Sequence, residues 1–142
     1  MKKTLYLMLF KVFHAQRCRV WNFCAQIGLG PGQPKMLAFL DTEGSCRQKE
    51  LAHRCDIEPA TVSRLLDGME EMGLVKREGD PRDRRAVLVT ITPQGKEMRR
   101  RINEYLSQLE EEALAGFTGE EKDALKDYLV RVYRNVTGGE ME

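Results

Sequence analysis

The spacing of apolar side chains changes at Gly73, and that change constrains the fold more than any other feature. Before it, Val62, Leu65/Leu66, Met69 and Met72/Leu74 recur at helical intervals. After it, Val87, Val89 and Ile91 alternate with polar neighbours. A chain that passes from a 3.6-residue to a 2-residue period within one turn must run from a helix into a small sheet. The alternation predicts strands over 74–78 and 86–92, joined by a turn at Gly79-Asp80-Pro81-Arg82-Asp83-Arg84-Arg85. Residues 76–85 carry the cations Lys76, Arg77, Arg82, Arg84 and Arg85 against the anions Glu78, Asp80 and Asp83. A solvated turn does not need four arginines, whereas the negative potential of a DNA minor groove attracts them. Asp83, two residues before Arg85, is expected to orient that guanidinium.

Upstream, two short helical patterns span 47–54 and 59–72, linked by Cys55-Asp56-Ile57-Glu58. Pro59 suits a first turn, where its missing N–H is not needed, and Gly73 supplies a stop. Helix, tight turn, helix and basic hairpin make a winged helix-turn-helix. The second helix, about 10–12 Å wide, fits a major groove about 12 Å across. Its buried stripe leaves Ala60, Thr61, Ser63, Arg64 and Asp67 outward. Arg64 can read guanine, the hydroxyls can serve bases or phosphates, and Pro59 and Ala60 can lie against thymine methyls. Gln48 and Lys49, opening the first helix, and Arg82, Asp83, Arg84 and Arg85 of the wing complete the expected DNA contacts.

The flanks read as helices over 4–26 and 93–115, with a break at 116–119 and a last helix over 120–136. A breaker cluster at 28–34, a short helix at 35–40 and a polar turn at 41–45 lie between. Thr92-Pro93 is an N-cap and first-turn proline. The first helix carries apolar groups on two faces, Tyr6, Phe10, Phe13, Val20, Trp21 and Cys24 on one and Leu5, Leu9 and Val12 on another, and the last adds Leu125, Leu129, Val132 and Val136. A monomer would leave such faces bare, so a homodimer is expected. Two-fold symmetry then makes the operator an inverted repeat with half-sites about one helical turn apart. The fold class is mainly α with a small β-wing: a DNA-binding lobe at 27–92 with dimerisation helices at 1–26 and 93–142. Formal charge divides in the same sense. Residues 1–103 hold 19 basic against 12 acidic side chains and 104–142 hold 4 against 10, although the whole chain is only +1.

Over nearly its whole length the chain resembles the MarR family of bacterial winged-helix repressors. The resemblance rests on Glu50-Leu51-Ala52, on Thr61-Val62-Ser63-Arg64-Leu65 with Met69-Glu70-Glu71-Met72-Gly73-Leu74-Val75, and above all on Asp80-Pro81-Arg82-Asp83-Arg84-Arg85 running into Val87-Leu88-Val89-Thr90-Ile91-Thr92-Pro93-Gln94-Gly95. It implies one MarR-type domain over 1–142, a homodimer held by the first and last helices, a palindromic double-stranded operator and release by a small ligand or oxidant. It also implies groove contacts by Ser63 and Arg64 and a wing-tip Arg85 held by Asp83. Two positions depart from the family pattern. Arg47 stands where a Thr-type cap is usual, which would shift the helix start to Ser45. Gly68 stands mid-helix, costing about 1 kcal/mol of propensity and removing a phosphate contact.

A ligand pocket implied by the family would draw on Phe13, Arg17 and Trp21, with Arg17 facing the carboxylate of an aromatic acid. His14 and Cys18, four apart, could pair to activate a thiolate, making a thiol-based oxidant sensor the alternative. A second alternative is a winged-helix module that binds protein through acidic residues 104–127 rather than DNA. Lys96, Arg99, Arg100 and Arg101 read as a solvated helix face. With two histidines, no Gly-rich phosphate loop and no Ser/His/Asp set, an enzyme is not expected, nor a cofactor. Cys18, Cys24, Cys46 and Cys55 form no Cys-x-x-Cys pair, so no metal is expected. The apolar start is interrupted by Lys11 and His14 without a small-x-small cleavage site before Arg17, and nothing approaches the roughly 20 apolar residues of a span. The expected location is cytoplasmic, without membrane contact.

Overall fold

The computed structural model describes residues 2–141. The order is α1 (Leu5–Gln26), α2 (Gln33–Glu43), β1 (Ser45–Arg47), α3 (Gln48–Cys55), α4 (Pro59–Glu71), β2 (Val75–Asp80), β3 (Asp83–Ile91), α5 (Pro93–Ala113) and α6 (Gly119–Thr137). This is the expected mainly helical fold with a small wing. The chain divides between Leu106 and Ser107 into two compact units.

In the first unit α2, α3 and α4 pack over the three-stranded antiparallel sheet β1-β3-β2. Met36, Leu37 and Leu40 of α2, Leu51 and Cys55 of α3, and Val62, Leu66 and Met69 of α4 meet Val75, Val89 and Ile91 in one buried core. α1 is buried only near its C-terminal end, where Val20, Phe23 and Cys24 join that core, and its second face, Leu5, Leu9 and Val12, is exposed. Phe23 stacks on Tyr105 at 4.2 Å, and the Tyr105 hydroxyl donates to the Arg19 carbonyl at 3.2 Å. From Leu5 to Phe13 the apolar side chains of α1 are almost all exposed.

Where elements differ from expectation the causes are local. The breaker cluster ends two residues early, because Pro34 is accommodated in the first turn of α2. Gln33 also ties that turn down: the Gly30 N–H donates to its Oε1 at 2.9 Å, and its Nε2 donates to the Leu65 carbonyl at 3.1 Å. The polar turn at 41–45 is absent. Asp41 to Glu43 continue α2, Gly44 ends it at φ 77°, and β1 pairs Ser45 with Thr90 and Arg47 with Leu88. Three residues with one buried side chain, Cys46, are too few for alternation to register. The first helix of the motif does not shift to Ser45; Arg47 keeps the cap position without a side-chain cap bond. The hairpin is longer and tighter than expected. Its strands reach Asp80 and Asp83, with a bulge at Gly79/Asp80, so Val87 lies beyond the core and is exposed while Val89 is buried.

Thr92 caps α5 as expected. Its hydroxyl accepts from the Gly95 N–H at 3.0 Å and donates to the Gly73 carbonyl at 2.5 Å. A Cβ on Gly95 would lie 2.2 Å from the Leu74 carbonyl oxygen, so only glycine lets α5 start against β2.

The second unit holds the last turns of α5 and all of α6. Thr118 and Glu121 form a reciprocal capping box, and Lys126 pairs with Glu110 at 2.9 Å. No described side chain of α6 is buried; Tyr128, Leu129, Tyr133 and Val136 are exposed.

Candidate nucleic-acid interface

The corner between α3 and α4 is made by Asp56 in the left-handed region, φ 53°, a conformation that Asp tolerates better than most side chains. It throws α4 across α3, with Val62, Leu66 and Met69 buried. Pro59, Ala60 and Arg64 are exposed; Thr61 and Ser63 are half-buried. At the start of α3, Lys49 is exposed and Gln48 half-buried. In the wing Arg82, Arg84 and Arg85 are exposed and Asp83 half-buried.

These elements share one face. A cleft of about 460 Å³ is lined by Arg47, Gln48, Lys49, Pro59, Asp83 and Arg85. A shallower one joins Gln48 and Ser63 to the β2–β3 ribbon at Arg77 and Val87. The starts of both motif helices and the wing therefore border a continuous concave surface with cationic walls. Arg82 and Arg84 stand at the tip, outside both clefts.

The wing's charges are less uniform than their sequence suggests. Lys76 is ion-paired with Glu78. Arg77 turns back toward α4, donating to Glu70 at 2.6 Å and pairing with Asp67. Asp83 does not orient the Arg85 guanidinium. Its carboxylate accepts from the Arg85 backbone N–H at 3.0 Å and so fixes the chain at the tip rather than the side chain. The stronger anchor is Asp80. It accepts from the Arg82 N–H at 2.9 Å and from Arg47 Nε at 2.8 Å. The Arg82 N–H foremost, then Arg47, holds its carboxyl below the ordinary carboxylate range against the opposing effect of desolvation.

Arg47 and Arg77 were missed as site residues. The signal for Arg47 was its occupation of a cap position by a side chain that cannot cap. Nothing local marked Arg77, because its partners lie on another element.

Phe13, Arg17 and Trp21 lie on the exposed run of α1 and line neither cleft. The Arg17 guanidinium sits 4.2 Å from the Trp21 ring centroid. Cys18 is exposed, its Sγ 3.6 Å from His14 Nε2. Cys24, Cys46 and Cys55 are buried. Burial, assisted by Glu50, pushes the Cys46 thiol up to about 11.

The sequence profile of the MarR family matches residues 29–87, the span that holds both motif helices and most of the wing. The HTH-type transcriptional regulator YwoH of Bacillus subtilis is 36% identical over 107 residues, covering 75% of this chain and 76% of the relative. YdgJ of the same organism is 30% identical over 115 residues, 81% of this chain and 70% of the relative. The chain belongs to the MarR family of transcriptional regulators. Among solved structures, MepR of Staphylococcus aureus superposes with a TM-score of 0.84 at 18% identity, covering 94% of this chain and 99% of that one. A MepR variant bound to an oligodeoxyribonucleotide gives 0.75 at 19% identity, with 96% and 100% covered. At these identities the likeness establishes the fold.

One of the two departures from the MarR pattern changes meaning in the structure. A Cβ on Gly68 would meet Gln33 Nε2 at 3.2 Å, so this position faces α2 and not the groove. Its glycine removes no phosphate contact; it makes room for the amide that ties α2 to α4. Among the described residues no helix is long and apolar enough to cross a membrane.

Proposed function

We propose that this MarR-family regulator is a sequence-specific repressor that acts in the cytoplasm as a homodimer on a palindromic operator and is released by a small ligand. The observation that carries it is the common face of α3, α4 and the wing: Pro59 at the start of α4 and Arg85 of the wing line one cleft with Arg47 and Lys49, and Arg64 is exposed on the same helix. In this reading residues 27–92 are the DNA-binding lobe. Arg64 reads base edges, Thr61 and Ser63 add hydroxyl contacts, Pro59 and Ala60 meet thymine methyls, Gln48 and Lys49 hold phosphates, and Arg82, Arg84 and Arg85 reach the minor groove. Residues 1–26 and 93–142 supply the dimer, whose two-fold axis sets half-sites about one helical turn apart. The exposed apolar surfaces of α1 and α6 support this assignment. The releasing ligand is of the aromatic-acid class, taken by Phe13, Arg17 and Trp21.

The test is a mobility shift on fragments selected from the genome at two salt concentrations. Binding falls steeply with salt if phosphates are neutralised. Arg64→Ala costs about 1–3 kcal/mol and relaxes base preference, whereas Arg85→Ala weakens all sequences more evenly and flattens the salt slope. Salt-insensitive binding, or none, would refute the reading.

A further inference from the structure

Arg77 lies on the wing's first strand, paired across to Val89, yet its side chain serves another element. Its Nε donates to Glu70 at 2.6 Å and its terminal nitrogen pairs with Asp67, both on the outer side of α4. The arginine is 22% exposed while its two carboxylates are 64% and 43% exposed. Between those carboxylates in sequence, Gly68 abuts Gln33 of α2 and Met69 is fully buried. The C-terminal half of α4 is thus gripped from both sides, by the Gln33 amide and by the Arg77 guanidinium. A guanidinium presents its donors in a rigid planar fork, so two carboxylates on successive turns fix an angle as well as a distance.

We propose that Arg77 is a positioning residue for DNA recognition: bridging Asp67 and Glu70, it locks the angle between the groove helix and the wing so that both enter the duplex in register. The proposal rests on the repressor reading above and adds to it a device that touches no DNA. It explains why two anions are tolerated on the helix that enters a polyanion's groove, since their charge is spent on the wing.

The decisive variant is the double substitution Asp67→Asn with Glu70→Gln, which keeps shape and removes two negative charges. If these carboxylates act only through their charge, their loss tightens DNA binding, because repulsion of phosphates is relieved. The lock requires the opposite sign. Operator affinity falls by about tenfold or more, and the Arg85→Ala penalty shrinks to about twofold in that background, because a wing out of register has little left to lose. Arg77→Lys, which retains one ion pair and the positive charge, falls between parent and double variant. It is read in place of the double variant if the latter does not melt cooperatively. The parent's salt slope is retained in Arg77→Lys, since on this proposal the Arg77 guanidinium is committed to Glu70 and Asp67 rather than to a phosphate. Equal or tighter binding by the double variant, with the Arg85 penalty intact, overturns the lock and leaves the repressor reading standing. A parent that binds no DNA overturns both.

Discussion

The lobe around α4 and the first half of α1 are both rich in apolar side chains, and the chain treats them in opposite ways. Met36, Leu37, Leu40, Leu51, Val62, Leu66 and Met69 are all fully buried, whereas Tyr6 is 81% exposed and Phe10 and Phe13 more than half. Val136 of α6, described within its own unit, is 80% exposed. Local sequence chemistry does not separate these regions, since both are helical with apolar stripes. What differs is whether other elements of the same chain close over the stripe. The lobe has a core of its own; the α1 stripe is completed only by a second copy, as proposed above.

This contrast can be broken most forcefully from the core side. Leu66→Ala removes a fully buried side chain and is expected to cost about 2–5 kcal/mol in denaturant unfolding. A loss comparable to that of a surface substitution would mean the lobe is not the self-sufficient half. Phe10→Asp, by contrast, leaves the circular dichroism of the lobe intact and converts a dimer to a monomer in sedimentation, with operator affinity lost as a consequence. A parent that sediments as a monomer would remove the distinction altogether.

Smaller effects sharpen the lobe side. Asp80 titrates below its unfolded value, so its contribution is present above the ordinary aspartate range near about 4 and is lost as pH falls through the depressed folded value. Protection of the Arg82 amide, taken relative to its intrinsic exchange rate, should therefore fall in acid, and Asp80→Asn should abolish that dependence. Among the thiols, Cys18 should be alkylated by iodoacetamide at pH 8 well before Cys46, whose thiol is held near 11 by burial. Simultaneous labelling would show that the lobe opens more readily than its packing implies.

The groove helix was legible because Pro59, the Val62/Leu66/Met69 stripe and Gly73 are local signals, each acting within a turn of itself. The wing's existence was legible from alternation at Val87, Val89 and Ile91, but its length was not, because Asp80 and Asp83 join the ribbon through a bulge. β1 was illegible for a different reason. A three-residue strand acquires its structure from its partners Leu88, Val89 and Thr90, more than forty residues away. Gly68 was misread outright, since a helical glycine shows its propensity cost in sequence but not which neighbour requires the space.

Periodicity, caps and punctuation, carried by neighbours in the chain, determined that this protein is helix-turn-helix followed by a cationic ribbon, and which side chains of α4 are turned outward. Tertiary structure alone decided how those pieces are held. Arg47 braces Asp80, Gln33 fills the place beside Gly68, and Arg77 spends its charge on α4 instead of offering it to solvent. Such pairings join residues on different elements, and a charge or an amide has no periodicity that announces its partner before the chain has folded.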